Sequence, residues 1–144
     1  MKTKTFITFP LVFSLGVVIG AFGNQAVSSD KSAILRTPHI IADLVEFKGK
    51  EARMYTVQIA PGAITPRHRH PGHYLTYILE GTGVLLQDGK ADIELKPGAS
   101  YYIHSPDDTP ASWHAVWNTS KTEPLVSLSV LIIDKDRPAT VYDK

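Results

Sequence analysis

The 144-residue sequence contains no cysteine, only two methionines and no excess of charge of one sign. The absence of cysteine excludes a disulfide framework, a cysteine-based zinc site, a thiol nucleophile and a lipid-modified N-terminal cysteine. Fifteen lysine and arginine residues nearly balance fourteen acidic residues, which gives a net charge of +1. This balance provides no electrostatic field to attract nucleic acid, so we expect no nucleic-acid partner.

The sequence also lacks an amphipathic helix longer than two turns, an internal repeat and a low-complexity segment. Ten glycines and ten prolines instead separate short apolar stretches, at intervals of roughly 8 to 12 residues. This pattern predicts an all-β fold, a single small β-barrel or jelly roll of about eight strands. A parallel α/β fold does not fit it.

The N-terminal segment has the features of a secretory signal peptide. Lys2 and Lys4 precede an apolar stretch over residues 6–22, which small residues follow. We predict a signal peptide over residues 1–23 with cleavage after Gly23, and cleavage near Ser29 as an alternative. An uncleaved, outward-facing membrane anchor is the second alternative, because the apolar stretch approaches a spanning length. In each case the functional part would lie outside the cytoplasm, secreted or periplasmic, and without membrane contact once cleaved.

Residues 24–39 are predicted to form an N-terminal arm or linker, and residues 40–144 the barrel domain. Asp88-Gly89 is the strongest hairpin signal, and residues 105–112 are predicted to form a loop. The apolar segment Leu125–Ile133 could serve a homodimer, since exposed strand edges are commonly covered by pairing. The main predicted strands are Met54–Ala60, Leu75–Leu79, Val84–Gln87, Ala91–Leu95, Tyr101–His104, Trp113–Trp117 and Leu125–Ile133.

The histidines are unevenly distributed, because five of the six lie between residues 68 and 114. His68 and His70 are two residues apart, so on a strand both imidazoles point to the same side. Two imidazoles on one face, with a third from a neighbouring strand, form a pocket for a divalent ion of Fe, Mn, Ni, Zn or Cu. His114, at the start of a later strand, is the natural third ligand. The alternative is a barrel that binds no metal.

Two further histidines are candidates for the surroundings of this pocket. His73 points away from His68 and His70 if its strand is regular. His104 precedes the predicted loop and could donate into the pocket, although a histidine at the loop edge is the simpler interpretation. No nucleophile–base arrangement, phosphate-binding loop or pair of carboxylates stands out, so the catalytic residues stay unknown.

The same residues resemble the two motifs of the cupin family, over roughly residues 50–133. The resemblance implies a cupin barrel with His68, His70 and His114 as metal ligands. Cupins usually add a glutamate as the fourth ligand, whereas Tyr74 occupies the matching position here. We expect Tyr74 to be a hydrogen-bonding neighbour or a pocket wall, because a phenol with an ordinary pKa near ~10 stays protonated; the alternative is that its phenolate replaces the glutamate as a ligand. The residues that carry the likeness are Gly62, His68, His70, Tyr74 and Gly81 in the first motif and Gly98, His114 and Asn118 in the second.

The missing glutamate leaves a more positive site. A divalent metal on three neutral histidines keeps a charge of about +2, which favours a small chelating anion such as an enolate, carboxylate or thiolate. Some three-histidine cupins oxygenate thiols or cleave diketones. The resemblance therefore implies a dioxygenase-like, metal-dependent oxidoreductase acting on a small-molecule substrate. A non-catalytic module that binds a small ligand or metal is the alternative.

Overall fold

Two antiparallel β-sheets make up the part of the chain that the computed structural model describes, residues 33–104 and 113–144. The predicted signal peptide, the first part of the predicted arm and the predicted loop over residues 105–112 lie outside the described residues. The strands within the described ranges are β1 (Ile34–Asp43), β2 (Lys50–Ile59), β3 (His68–Arg69), β4 (His73–Glu80), β5 (Gly83–Gln87), β6 (Ile93–Leu95), β7 (Ser100–His104), β8 (His114–Asn118), β9 (Leu125–Asp134) and β10 (Val141–Tyr142).

The first sheet has the strand order β1-β2-β9-β4-β7, and the second sheet has the order β10-β3-β8-β5-β6. Every pair is antiparallel, and β2 pairs with β9 along its whole length, from Lys50 opposite Asp134 to Ile59 opposite Leu125. This architecture confirms the predicted all-β jelly roll. In the described part of the chain, no helix is both long enough and apolar enough to span a membrane.

Alternation of side chains along the strands creates the core between the two sheets. In β9 every second residue from Leu125 to Ile133 is buried, and β2 and β4 follow the same period of two. The side chains that point into the core include several polar ones, which is unusual for a β-sandwich core. The buried polar residues are Thr65, His68, His70, Thr76, His114, Asn118, Ser127 and Ser129.

The hairpin predicted at Asp88-Gly89 connects β5 and β6, with Gly83 opposite Leu95 and Leu85 opposite Ile93. Gly89 has a φ of +69°, a conformation that glycine adopts without strain. The second strand of the hairpin begins at Ile93, two residues later than predicted, so the connection is a longer loop rather than a two-residue turn.

Strand β1 changes the predicted boundary between arm and domain. It begins at Ile34, inside the residues assigned to the arm, and pairs with β2 from Ile34 opposite Ile59 to Asp43 opposite Glu51. Most of its side chains are exposed, which explains why the composition resembled that of a linker. Residues 34–39 therefore belong to the first sheet rather than to an arm, and the predicted boundary at residue 40 is wrong.

The apolar segment considered for a homodimer is not an edge strand. Strand β9 lies at the centre of the first sheet, where β2 and β4 use both of its edges. The outer face of β4 and β7 instead exposes large apolar side chains. The exposed fractions are 44% for Leu75, 50% for Tyr77, 43% for Leu79 and 56% for Tyr102.

Candidate metal centre

Adjacent strands of the second sheet bring the three predicted ligands together. His68 on β3 lies directly opposite His114 on β8, and residues paired in this way point to the same face of a sheet. His70 follows β3 two residues after His68. The backbone N–H of Thr65 donates to the carbonyl of Val116, and the Val116 N–H donates to Oγ1 of Thr65, which attaches the segment before β3 to β8.

The three imidazoles converge in the interior. Their ring centroids are separated by 4.3 Å for His68 and His114, 5.0 Å for His68 and His70, and 5.3 Å for His70 and His114. One ligand nitrogen from each lies within 4.8 Å of the other two, and none of the rings is more than 4% exposed. A separation of this size suits three ligands arranged around one ion.

Backbone carbonyls fix the protonation of two of these rings. Nδ1 of His68 donates to the carbonyl of Pro66 at 2.8 Å, and Nδ1 of His70 donates to the carbonyl of Ala139 at 2.7 Å. A carbonyl can only accept, so the proton of each neutral ring is on Nδ1 and the lone pair is on Nε2. Nε2 of His70 is buried without a hydrogen-bond partner, which a coordinated metal would satisfy.

The electrostatics keep His68 and His70 neutral. The pKa of His68 is lowered to about 3, mainly by burial and also by the neighbouring His114 and the cation of Arg36, while the hydrogen bond to the Pro66 carbonyl opposes this change. Burial also lowers the pKa of His70 well below its ordinary value. Neutral imidazole is the form that binds metal. Three such donors fit a divalent ion of Zn, Fe, Mn, Ni or Cu.

Tyr74 forms a wall of the cluster. Its ring stacks on that of His70, with centroids 3.8 Å apart and 12° between the planes. Burial raises the pKa of the Tyr74 phenol, although hydrogen bonds with Ser129 and Thr76 oppose the increase. The hydroxyl is therefore protonated at neutral pH and is directed at neighbouring hydroxyls.

A small, largely enclosed cavity of about 20 Å³ adjoins His68 and His114. This volume holds roughly one water-sized group. The walls are mostly apolar, and no aspartate or glutamate in the described ranges contributes to them. The polar residues among its walls, besides the two histidines, are Arg36, Thr65, Tyr74, Tyr101 and Ser127.

His73 and His104 do not line this cavity. They lie opposite each other on β4 and β7, both exposed, with their rings stacked at 4.1 Å between centroids. Nδ1 of His73 and the hydroxyl of Tyr102 are 2.7 Å apart. Because side chains alternate along a strand, the inward position of Tyr74 places His73 on the outer face of the sheet. The prediction that His73 and His104 contribute to the pocket is therefore wrong.

Sequence reasoning missed Arg36 and Tyr142. Arg36 lies within the residues assigned to the arm, yet its side chain reaches the cavity and its Nη1 donates to the hydroxyl of Tyr142 at 3.4 Å. The available signal was the apolar and β-branched content of Ile34–Ile41, which is typical of a strand. Tyr142 lies beside His68 only because β10 pairs with β3, a long-range contact.

Comparison with known proteins identifies a family from the sequence and a shared fold from the structure. The cupin family's sequence model, described as "Cupin domain", matches residues 55–131. Auxin-binding protein T85 from Nicotiana tabacum is 28% identical over 102 residues, which are 65% of this chain and 50% of that protein. The chain thus spans half the length of this curated relative.

Two solved structures illustrate the shared fold. DMSP lyase DddQ from Ruegeria pomeroyi DSS-3 matches with a TM-score of 0.53 and 24% identity, over 63% of this chain and 42% of that one. The polyketide cyclase RemF from Streptomyces resistomycificus matches with a TM-score of 0.57 and 18% identity, over 83% and 78% of the two chains. At these identities the likeness concerns the fold alone.

Proposed function

The chain belongs to the cupin family, and from this premise we propose that it binds one divalent metal ion and acts on a small chelating anion. The ligands are His68, His70 and His114. The observation that carries the proposal is the buried cluster of three imidazoles with one ligand nitrogen each within 4.8 Å of the others. The orphaned Nε2 of His70 supports it independently.

The reaction class that we propose is dioxygenase-like oxidation. A bound metal would supply Lewis acidity and, for Fe, Mn, Ni or Cu, redox chemistry toward dioxygen. The carbonyls of Pro66 and Ala139 hold two ligand rings in the required tautomer, and Tyr74 supports the ring of His70. Within the described ranges, no carboxylate lines the cavity. This favours metal-centred chemistry over a hydrolysis that needs a carboxylate base.

The second candidate function is a non-catalytic module that binds a metal or a small ligand. The size of the cavity favours it, because about 20 Å³ holds little more than one water-sized group. Oxygen uptake distinguishes the two functions. A metal-loaded protein that consumes no oxygen with any small chelating anion would be a binding module.

Elemental analysis of the protein purified from its native compartment tests metal binding. We expect about one equivalent of a single metal in the wild type, and none in His70→Ala. His73→Ala is the matched control, since this histidine is on the outer face of the first sheet, and it should keep the metal. Circular dichroism checks that each variant is folded. A folded wild type that holds no metal and takes up none on dialysis rejects the proposal.

We also propose that the protein is exported, either secreted or periplasmic. The support is the basic start at Lys2 and Lys4 followed by the apolar residues 6–22. N-terminal sequencing of the purified protein should begin at Asn24. A sequence that begins at Met1 in a membrane fraction would instead favour the anchor.

A further inference from the structure

Arg36 is a cation on the inner face of the first sheet. It lies directly opposite Val57, which is 7% exposed, and residues paired across antiparallel strands point to the same face. The side chain of Arg36 therefore enters the barrel from β1. It lines the cavity that also contacts His68 and His114.

In the described part of the chain, no acidic side chain forms an ion pair with Arg36. Two other partly buried arginines are paired: Arg53 contacts Glu51, and Arg67 contacts Asp88 and Asp143. A guanidinium has five N–H donors, and here one of them donates to a phenol at 3.4 Å. A partly buried cation is costly without a compensating anion. An anionic group of a bound ligand would therefore stabilise Arg36.

Tyr142 connects this cation to the histidine cluster. It lies opposite His68 in the β10–β3 pair, with 6.1 Å between the two ring centroids, and its hydroxyl accepts from Arg36. The guanidinium thus lies on the side of the cavity next to His68. The cation and the imidazoles of His68 and His114 border one cavity, and their arrangement suits a ligand with a negative group and a second donor atom.

We propose that Arg36, positioned by Tyr142, binds the carboxylate of a short acid that carries a second oxygen on the adjacent carbon. Arginine is the residue best shaped for this role, because its planar fork donates two parallel hydrogen bonds to a carboxylate. The inference rests on the proposed function in one respect: the second oxygen of the acid would face the metal ion that the histidine cluster holds. The enclosed cavity of about 20 Å³ holds roughly one water-sized group, so it receives only a carboxylate oxygen, and the acid must be among the smallest that carry both groups.

Isothermal titration calorimetry with pyruvate, and with its neutral amide pyruvamide, tests this subsite on the zinc-loaded mature protein. We expect the wild type to prefer pyruvate by about tenfold or more, since hydrogen bonds between charged groups contribute this much to affinity. Arg36→Gln should lower the affinity for pyruvate by about tenfold or more and remove the preference. Arg36→Lys keeps the charge and loses the fork, so it should be intermediate.

Lys90→Gln is the matched control, because it removes one positive charge from an exposed turn. It should bind pyruvate as the wild type does, and all variants should contain equal amounts of zinc. Equal pyruvate affinity in wild type and Arg36→Gln overturns the proposal. A wild type that does not bind pyruvate, or that does not distinguish it from pyruvamide, also overturns it.

The failure of this inference is distinguishable from a failure of metal binding. Zinc retained at one equivalent, with pyruvate affinity independent of Arg36, rejects only the subsite. If the wild type binds no zinc, the same titration is made on the metal-free protein. There, a preference for pyruvate that Arg36→Gln removes supports the subsite, and the absence of such a preference rejects it.

Discussion

The ring of Tyr74 lies almost parallel to the imidazole of His70, with 3.8 Å between the centroids. Tyr74 occupies the position where the cupin motif usually has a glutamate ligand, and its ring supports the imidazole of His70. Because the phenol is buried and its pKa is raised, the site gains no negative charge from it. A divalent metal here would keep its full charge for an anionic ligand.

Tyr74→Phe should leave zinc affinity within about threefold of the wild type, because it keeps the aromatic face against His70. Tyr74→Ala removes the stacked ring and should weaken zinc binding by about tenfold, the effect expected when a supporting neighbour is lost. Competition with a chelating dye measures both. Equal, large losses in the two variants would show that the hydroxyl itself is a ligand.

Deletion of residues 138–144 should weaken zinc binding by about 10- to 100-fold. It removes the Ala139 carbonyl that fixes the tautomer of His70, and orienting groups of this kind typically have effects of that size. Tyr142→Phe is the control, since it keeps the backbone and should keep the affinity. Full zinc affinity in a folded truncated protein would show that the carbonyl contributes nothing to the site.

The alternation of inward and outward residues made much of the fold predictable. Leu125–Ile133 was recognised as a strand, and the structure extends it by one residue. The convergence of His68 and His70 followed from their spacing, because residues two apart on a strand point to the same face. His114 followed from its place at the start of a later strand. Local patterns of this kind need no knowledge of the sheet order.

Other features depend on pairings between distant segments. The position of Arg36 over the cavity requires that β1 pair with β2, and its contact with Tyr142 joins residues 106 apart in sequence. The stacking of His73 on His104 likewise depends on the register between β4 and β7. No local pattern encodes such a register, which is set by the sheets as a whole.

The metal-free protein should lose stability in acid. Burial lowers the folded-state pKa of His68 from 6.5 to about 3, so between these values the unfolded chain binds more protons than the folded one. The contribution of His68 to stability is complete above about pH 6.5 and is lost as the pH falls toward 3. Urea unfolding of chelator-treated protein at several pH values measures this loss. His68→Gln should show a smaller dependence, and an equal dependence would contradict the assignment.

Asn118→Ala should lower the free energy of unfolding by about 2–4 kcal/mol, the range for leaving several buried polar groups unsatisfied. The side-chain amide of Asn118 is fully buried. Its two N–H groups are shared among the carbonyls of Ile59, Ala60 and Glu123, and its Oδ1 accepts from the N–H of Ser120. Chemical denaturation measures the difference.

The control for this variant is Ser120→Ala. Its hydroxyl accepts from two backbone N–H groups in an exposed turn, where water can replace it, so the expected change is below about 1 kcal/mol. Equal losses in the two variants would show that the turn, rather than the buried amide, provides the stability.

A homodimer through the outer face of the first sheet is the last expectation. Leu75 and Tyr102 lie opposite each other on β4 and β7 and are 44% and 56% exposed, and exposed apolar patches of this kind commonly mark interfaces. A two-fold axis would place the same patch of a second copy on it. Sedimentation equilibrium should give twice the monomer mass for the wild type and the monomer mass for Leu75→Lys, because the lysine would bury an unpaired charge.

The matched control is Ile93→Lys, which replaces a 38% exposed apolar side chain on the second sheet. This variant should remain a dimer, because the change lies outside the patch. If it dissociates as Leu75→Lys does, the interface includes the second sheet. A wild type that is monomeric at micromolar concentration would contradict the dimer itself.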